Sequence, residues 1–112
     1  MMEMRYYILA MLYTGQNPTT DPARRKELQA GHMANMGRLH QEGKLILAGP
    51  FKGGGDLEGL FLLDTGSVDE AREWCASDPA IAAGELRVEF HQWYSAKGIG
   101  IMQATGPDPE HP

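Results

Sequence analysis

The sequence predicts an α+β domain of ferredoxin-like type, in which two helices cover one face of a four-stranded antiparallel sheet. Three observations predict it. The 112 residues suffice for one domain. Strand and helix signals follow one another as β-α-β-β-α-β, the split βαβ order. Strands one and three are apolar on both faces, so the face without helices also needs a cover, most simply the sheet of a second copy.

The first strand covers residues 4–13, rich in aromatic and β-branched side chains. Alternation puts Met4, Tyr6, Ile8, Ala10 and Leu12 on one face and Arg5, Tyr7, Leu9, Met11 and Tyr13 on the other. Gly15 to Asp21 reads as a loop, and Asp21-Pro22 supplies an N-cap followed by proline at the first helical position. The first helix is expected to run to about Glu42, with Gly43 as its left-handed terminator. Lys44 to Phe51 is a short buried strand stopped by Gly49-Pro50, because proline cannot donate to a ladder. Gly53-Gly-Gly-Asp56 connects it to a strand over Leu57–Asp64.

Ser67-Val-Asp-Glu70 is a capping box: the serine caps the Glu70 amide while the carboxylate reaches back. The second helix runs to about Ser77 and buries Val68, Ala71, Trp74 and Cys75. Asp78-Pro79 ends it, since the residue before proline disfavours the helical region, and residues 80–84 form a turn closed by Gly84. Glu85 to Ser95 is the last strand, with Leu86, Val88, Phe90 and Gln92 on one face and Arg87, Glu89, His91 and Trp93 on the other. The domain is therefore expected at residues 1–96, followed by a tail at 97–112 in which Ile99, Ile101 and Met102 could dock.

Composition narrows the function classes. A net charge of −5 argues against nucleic acid, whose phosphates need a basic face, and Arg24-Arg25-Lys26 reads as a solvated helix turn. No apolar run approaches the roughly 20 residues that span a bilayer, so no membrane is expected. The start has an early acid and no cleavage pattern, unlike a signal peptide. One cysteine, Cys75, cannot pair within the chain and suits a reducing cytoplasm. There is no P-loop, no Gly-x-Gly-x-x-Gly and no nucleophile elbow. The four histidines lack metal spacing, so neither metal nor cofactor is expected, and His40 and His111 read as solvated.

Leu28, His32, Met36 and Leu39 recur at spacings of four, four and three, which at about 100° per residue puts them on one helix face. Arg24, Gly31, Arg38, Gln41 and Glu42 fall on the far side and read as solvent. His32 thus sits in the stripe that faces the core, either as a core histidine bonded to backbone or as a proton-transfer residue at the floor of a pocket. Asp78 is its candidate partner, because helix two continued to residue 78 puts that carboxylate on the inner side, where an unpaired charge is costly. A meeting of the two would fix the imidazole tautomer and give a general acid/base. An ordinary Asp-Pro turn explains Asp78 equally well. Pocket walls inferred from the strand faces are Tyr6 or Ile8, Met36, Pro50 and Trp93, the last being alternatively an interface residue.

His32-Met-Ala-Asn-Met-Gly-Arg-Leu39, Glu42-Gly-Lys-Leu-Ile-Leu-Ala-Gly-Pro-Phe51, Ser67-Val-Asp-Glu-Ala71, Ser77-Asp-Pro-Ala80 and Glu89-Phe-His-Gln-Trp-Tyr94 together resemble the YCII-related (YciI-like) family over residues 4–95. Gln92 stands where many relatives carry proline. The resemblance implies a dimeric α/β barrel and a site built on His32 and Asp78. It also implies chemistry akin to dehydrochlorination of a chlorinated hydroxyquinol, or to the proton shifts of similarly folded muconolactone isomerases. Three readings follow. The first is a small cofactor-free lyase or isomerase in which His32 moves a proton and Asp78 orients it. The second is a non-catalytic, dimeric small-ligand-binding or accessory protein. The third is a purely structural His32–Asp78 tie.

Overall fold

A computed structural model describes residues 2–53 and 55–99. The elements are β1 (Met4–Thr14), α1 (Pro22–Gln41), β2 (Leu45–Pro50), β3 (Leu57–Leu63), α2 (Val68–Ala76), α3 (Pro79–Ala82) and β4 (Leu86–Ala96). The sheet is antiparallel throughout with strand order β2-β3-β1-β4, the ferredoxin-like arrangement. The β1–β4 ladder runs unbroken from Met4–Ala96 to Thr14–Leu86.

Register sets the faces. Ile8 lies between Leu63 and Gln92, Ala10 between Phe61 and Phe90, and Leu12 between Gly59 and Val88. On this face Ile8, Ala10, Leu12, Phe61 and Leu63 pack with Leu39 of α1 and Ala71 and Cys75 of α2 into the core. Burying a side chain such as Leu39 or Phe61 contributes about 2 kcal/mol. On the opposite face Leu9, Met11 and Leu60 are half-buried and share the surface with His91 and Glu89.

The caps fix where the helices start and stop. The Asp21 carboxylate accepts from the Ala23 amide at 3.1 Å with Pro22 at the first position. At the other end Gly43, at φ +76°, lets the Lys44 amide reach the Leu39 carbonyl and its own amide the His40 carbonyl, a Schellman closure. Ser67 Oγ accepts from the Glu70 amide at 3.1 Å, so the serine half of the capping box is made. Val68 and Trp74 are half-buried beside the fully covered Ala71 and Cys75.

Two expectations need correction. Residues 80–84 are not a plain turn: Pro79–Ala82 form a short helix with Asp78 as N-cap, closed by a second Schellman turn at Gly84. Gly31 is not a solvent position, because it faces Pro79 so closely that a Cβ would lie 2.7 Å from the ring. Arg38 is exposed, as its place on the far side predicts, and is also engaged, bonding Asn35 Oδ1, Ser77 Oγ and Glu42. At the end of β4, the Lys97 amide bonds the Glu3 carbonyl and the Gly98 amide the Tyr7 hydroxyl, so residues 97–98 turn back onto β1. The expected docking of Ile101 and Met102 lies outside the described residues. No described helix is long and apolar enough to cross a membrane.

Candidate active site

The site begins with a cap. Asp78 is followed by a proline, which leads into α3, and its Oδ1 accepts from the amides of Ala80 at 2.9 Å and Ile81 at 3.4 Å. Those bonds aim the other oxygen at α1, where Oδ2 lies 2.5 Å from His32 Nδ1. Asp78 is fully buried and His32 is 8% exposed. The approach depends on Gly31, whose missing side chain lets α1 settle against Pro79 one residue before His32.

An ionised carboxylate can only accept, so a neutral imidazole facing it would carry its proton on Nδ1 and its lone pair on Nε2. Nε2 has no hydrogen-bond partner among the described residues. The imidazole lies 5.9 Å from the Phe61 ring at 22°, a stacked contact that fixes its plane. It forms part of the wall of a cavity of about 420 Å³ between α1 and the β1–β3–β2 side of the sheet. Leu12, Met33, Met36, Phe61 and Leu86 make that wall largely apolar, with Ala48, Gly49 and Pro50 along β2 and Gln29 and Glu58 as its other polar residues. Among the described residues no group of three His, Cys, Asp or Glu side chains could hold a metal.

Of the residues singled out in the sequence, His32, Met36 and Pro50 line the cavity, and Asp78 is buried behind His32 and in contact with it. Tyr6, Ile8 and Trp93 are not part of that wall. Ile8 has the right parity but is wholly covered by core side chains. Tyr6 shares that parity near the strand's start, half-exposed against Tyr94 at 4.8 Å between ring centroids. Trp93 pairs with Tyr7 on the opposite face. His40 is exposed, its Nδ1 3.2 Å from the Leu45 carbonyl, and His91 is exposed beside Glu89; His111 lies outside the described residues.

Sequence reading missed Asn35, 7% exposed. It lies one turn beyond His32, and that spacing was its signal. Its Oδ1 accepts from Arg38 at 2.6 Å and from Ser77 Oγ at 3.0 Å, while its Nδ2 is buried without a partner among the described residues. Cys75 is buried nearby, and burial, with the Asp78 charge adding to it, pushes the thiol up to about 12, so it stays protonated and unreactive.

The model of the YCII-related domain matches residues 4–93. The chain belongs to the YCII-related family. It is 31% identical over 68 residues to the uncharacterized protein YjpA of Bacillus subtilis (strain 168), covering 61% of this chain and 78% of that one. Among solved structures the YCII-related chain resembles 5-chloro-2-hydroxyhydroquinone dehydrochlorinase (TftG) from Burkholderia phenoliruptrix AC1100, in complex with 2,5-dihydroxybenzoquinone. The TM-score is 0.54 at 23% identity, over 77% of this chain and 92% of that one. At that identity the likeness speaks for the fold.

Proposed function

We propose that the protein is a small cofactor-free enzyme of lyase or isomerase type, acting by proton transfer on a small cyclic or phenolic substrate. The observation that carries this is the 2.5 Å contact between His32 Nδ1 and the buried Asp78 carboxylate, at the wall of an apolar cavity. A cavity of about 420 Å³ lies within the range of small-molecule sites. The fold is shared with a dehydrochlorinase of a chlorinated hydroxyquinol.

In this reading His32 Nε2 accepts a proton from a ring hydroxyl or an acidic C–H. The electron pair left behind takes a proton back at another ring carbon, which is the isomerisation. In the eliminating case that carbon is the one bearing chlorine, and it becomes sp3. Loss of a second hydroxyl proton then sends an electron pair through the ring that expels chloride, so that the net loss is H⁺ and Cl⁻. Asp78 holds the tautomer and faces the positive imidazolium while it exists. In the eliminating case the proton passes to water, which restores the base.

The protein would act as a homodimer through the open sheet face, where Leu9, Met11 and Leu60 would become covered. Light scattering giving a monomer at micromolar concentration would remove that part. A free, buried Cys75 suits a reducing cytoplasm, the proposed location.

The test is chloride release from 5-chloro-2-hydroxyhydroquinone and deuterium exchange at acidic ring positions across a phenol and lactone panel. Asp78→Asn keeps the cap oxygen but offers His32 an N–H donor, which moves the ring proton to Nε2 and blocks the base. A fall of about a hundredfold or more in rate is expected. An Asp78→Asn rate equal to the parent's refutes the proposal. Binding without turnover across the panel would leave a small-ligand-binding protein.

A further inference from the structure

The β1–β3 ladder slips by one residue: Leu12 pairs with Gly59, but Tyr13 pairs with Leu57, leaving Glu58 as an extra residue in a β-bulge. Regular alternation would have turned Glu58 to the open face, opposite its neighbour Gly59. The bulge turns it to the helix side instead, where Thr14 Oγ1 donates to Glu58 Oε2 at 3.2 Å. Gly59 beside it has no room for a side chain, since a Cβ would lie 2.8 Å from the Gly49 carbonyl oxygen.

Glu58 therefore lines the His32 cavity, and with Gln29 and Leu86 it also lines an adjoining cavity of about 340 Å³ under the loop before α1. The charges around this junction are lopsided. No lysine or arginine lines the His32 cavity. Arg25 in the second cavity is turned back onto its own loop, donating to the Thr19 carbonyl at 2.6 Å and lying 3.7 Å from Glu85. Glu85 in turn accepts from the Thr19 amide. Glu58 alone makes no ion pair among the described residues that line these cavities, Arg25 and Glu85 being paired with each other.

We propose that Glu58 is a specificity residue. It selects ring compounds that carry a hydrogen-bond-donating arm, hydroxyl or ammonium, and rejects those with a carboxylate arm. The ring occupies the apolar chamber beside His32 and the arm reaches the Glu58 carboxylate at the junction of the two cavities. A carboxylate there would meet a like charge, and the cation of the second cavity, Arg25, is already engaged by Glu85 and the Thr19 carbonyl. This rests on the reading of the His32 chamber as a ligand site.

Three phenols differing only in the arm make the test: tyrosol (hydroxyl), tyramine (ammonium) and 4-hydroxyphenylacetate (carboxylate). Binding is read from the methyl NMR signals of Met33 and Met36, which line the chamber. Tyrosol and tyramine should shift both methyls, with 4-hydroxyphenylacetate about tenfold weaker than tyrosol or worse. Glu58→Gln keeps the size and the Thr14 bond. It should abolish any advantage of tyramine over tyrosol, which tells a charge contact from a neutral one, and bring the acid within about threefold of tyrosol. The proposal is overturned if the acid binds as tightly as tyrosol, if Glu58→Gln leaves the order unchanged, or if none of the three moves either methyl. Failure of the proton-transfer reading looks different: no chloride release and no deuterium exchange, with this ranking intact.

Discussion

Helix α1 is tied to the same corner of the fold twice, and the two ties differ in kind. One is the His32–Asp78 contact, buried, at the edge of an apolar cavity. The other is the knot of Arg38, Asn35 and Ser77, two turns further along, where Arg38 Nη2 reaches Ser77 Oγ at 2.8 Å and Asn35 Oδ1 at 2.6 Å near the surface. If holding α1 against the α2–α3 corner were the only task, the knot would do it without burying a carboxylate. A buried ion pair is in general a weak source of net stability. On the proposed function, the difference teaches that the first tie is shaped by what it presents to the cavity and the second by what it fastens.

The sharpest way to break that comparison is Asp78→Ala. It removes the cap of α3 and the partner of His32 together, and a loss of about 3 kcal/mol or more is expected, read as a drop in thermal midpoint of roughly 10 °C. Asp78→Asn, which keeps the cap, should lose only about 1 kcal/mol while it loses activity. Equal losses for the two variants would mean that the cap bonds add nothing and that the charge facing His32 fastens the corner, so both ties would be fastenings.

A second comparison uses two glycines of α1. Gly31→Ala drives a Cβ to 2.7 Å from Pro79, so the contact that sets the His32–Asp78 approach must open; a net loss of about 1 kcal/mol is expected despite alanine's better helix propensity. Gly37 has nothing within 4 Å of its would-be Cβ, and Gly37→Ala should gain about 0.5–1 kcal/mol. Paired denaturant titrations decide whether α1 is held close at one point or along its length. Gains at both positions would show that the close approach at Gly31 costs nothing to lose.

Ser77→Ala tests the knot itself. Arg38 keeps Asn35 and Glu42, so the expected loss is only about 0.5–1 kcal/mol, with no change in ligand affinity. A larger effect on ligand binding than on stability would merge the two ties into one network.

The smallest effect at neutral pH belongs to Cys75. Its thiol sits at about 12 in the fold against an ordinary 9.0, so the folded chain holds a proton that the unfolded chain has released. Stability should therefore fall as pH rises from about 9 towards 12, and Cys75→Ala should flatten that slope in thermal melts taken across the range. At pH 7 the thiol is protonated in both states and contributes no slope.

Much of this was legible in the sequence because it is written locally. Asp21-Pro22 and Ser67 announce helix starts through groups a few residues away, and period-two alternation assigned the faces of β1 and β4 correctly. His32 was placed on the inner stripe by helical spacing alone. What escaped depends on neighbours distant in sequence or on breaks in periodicity. The four residues of α3 are too few to show a period, so Asp78 read as the end of one helix instead of the cap of the next. Gly31 read as solvent because a stripe sorts side chains and says nothing of a backbone that needs none. Glu58 stayed hidden because a bulge cancels the alternation on which strand reading relies. Ile8 was misassigned to the pocket because parity gives the face of a strand but not the place along it.

The unbroken pairing of Met4–Thr14 with Leu86–Ala96 has a bearing on how the protein is made. The first strand synthesised waits for the last before one of its two edges is paired. Until residue 96 has left the ribosome, β1 offers a row of open amides and carbonyls to any extended segment nearby. Sheet completion therefore waits for the last of the four strands, and the large sequence separation of this ladder favours slow closure over fast local zipping.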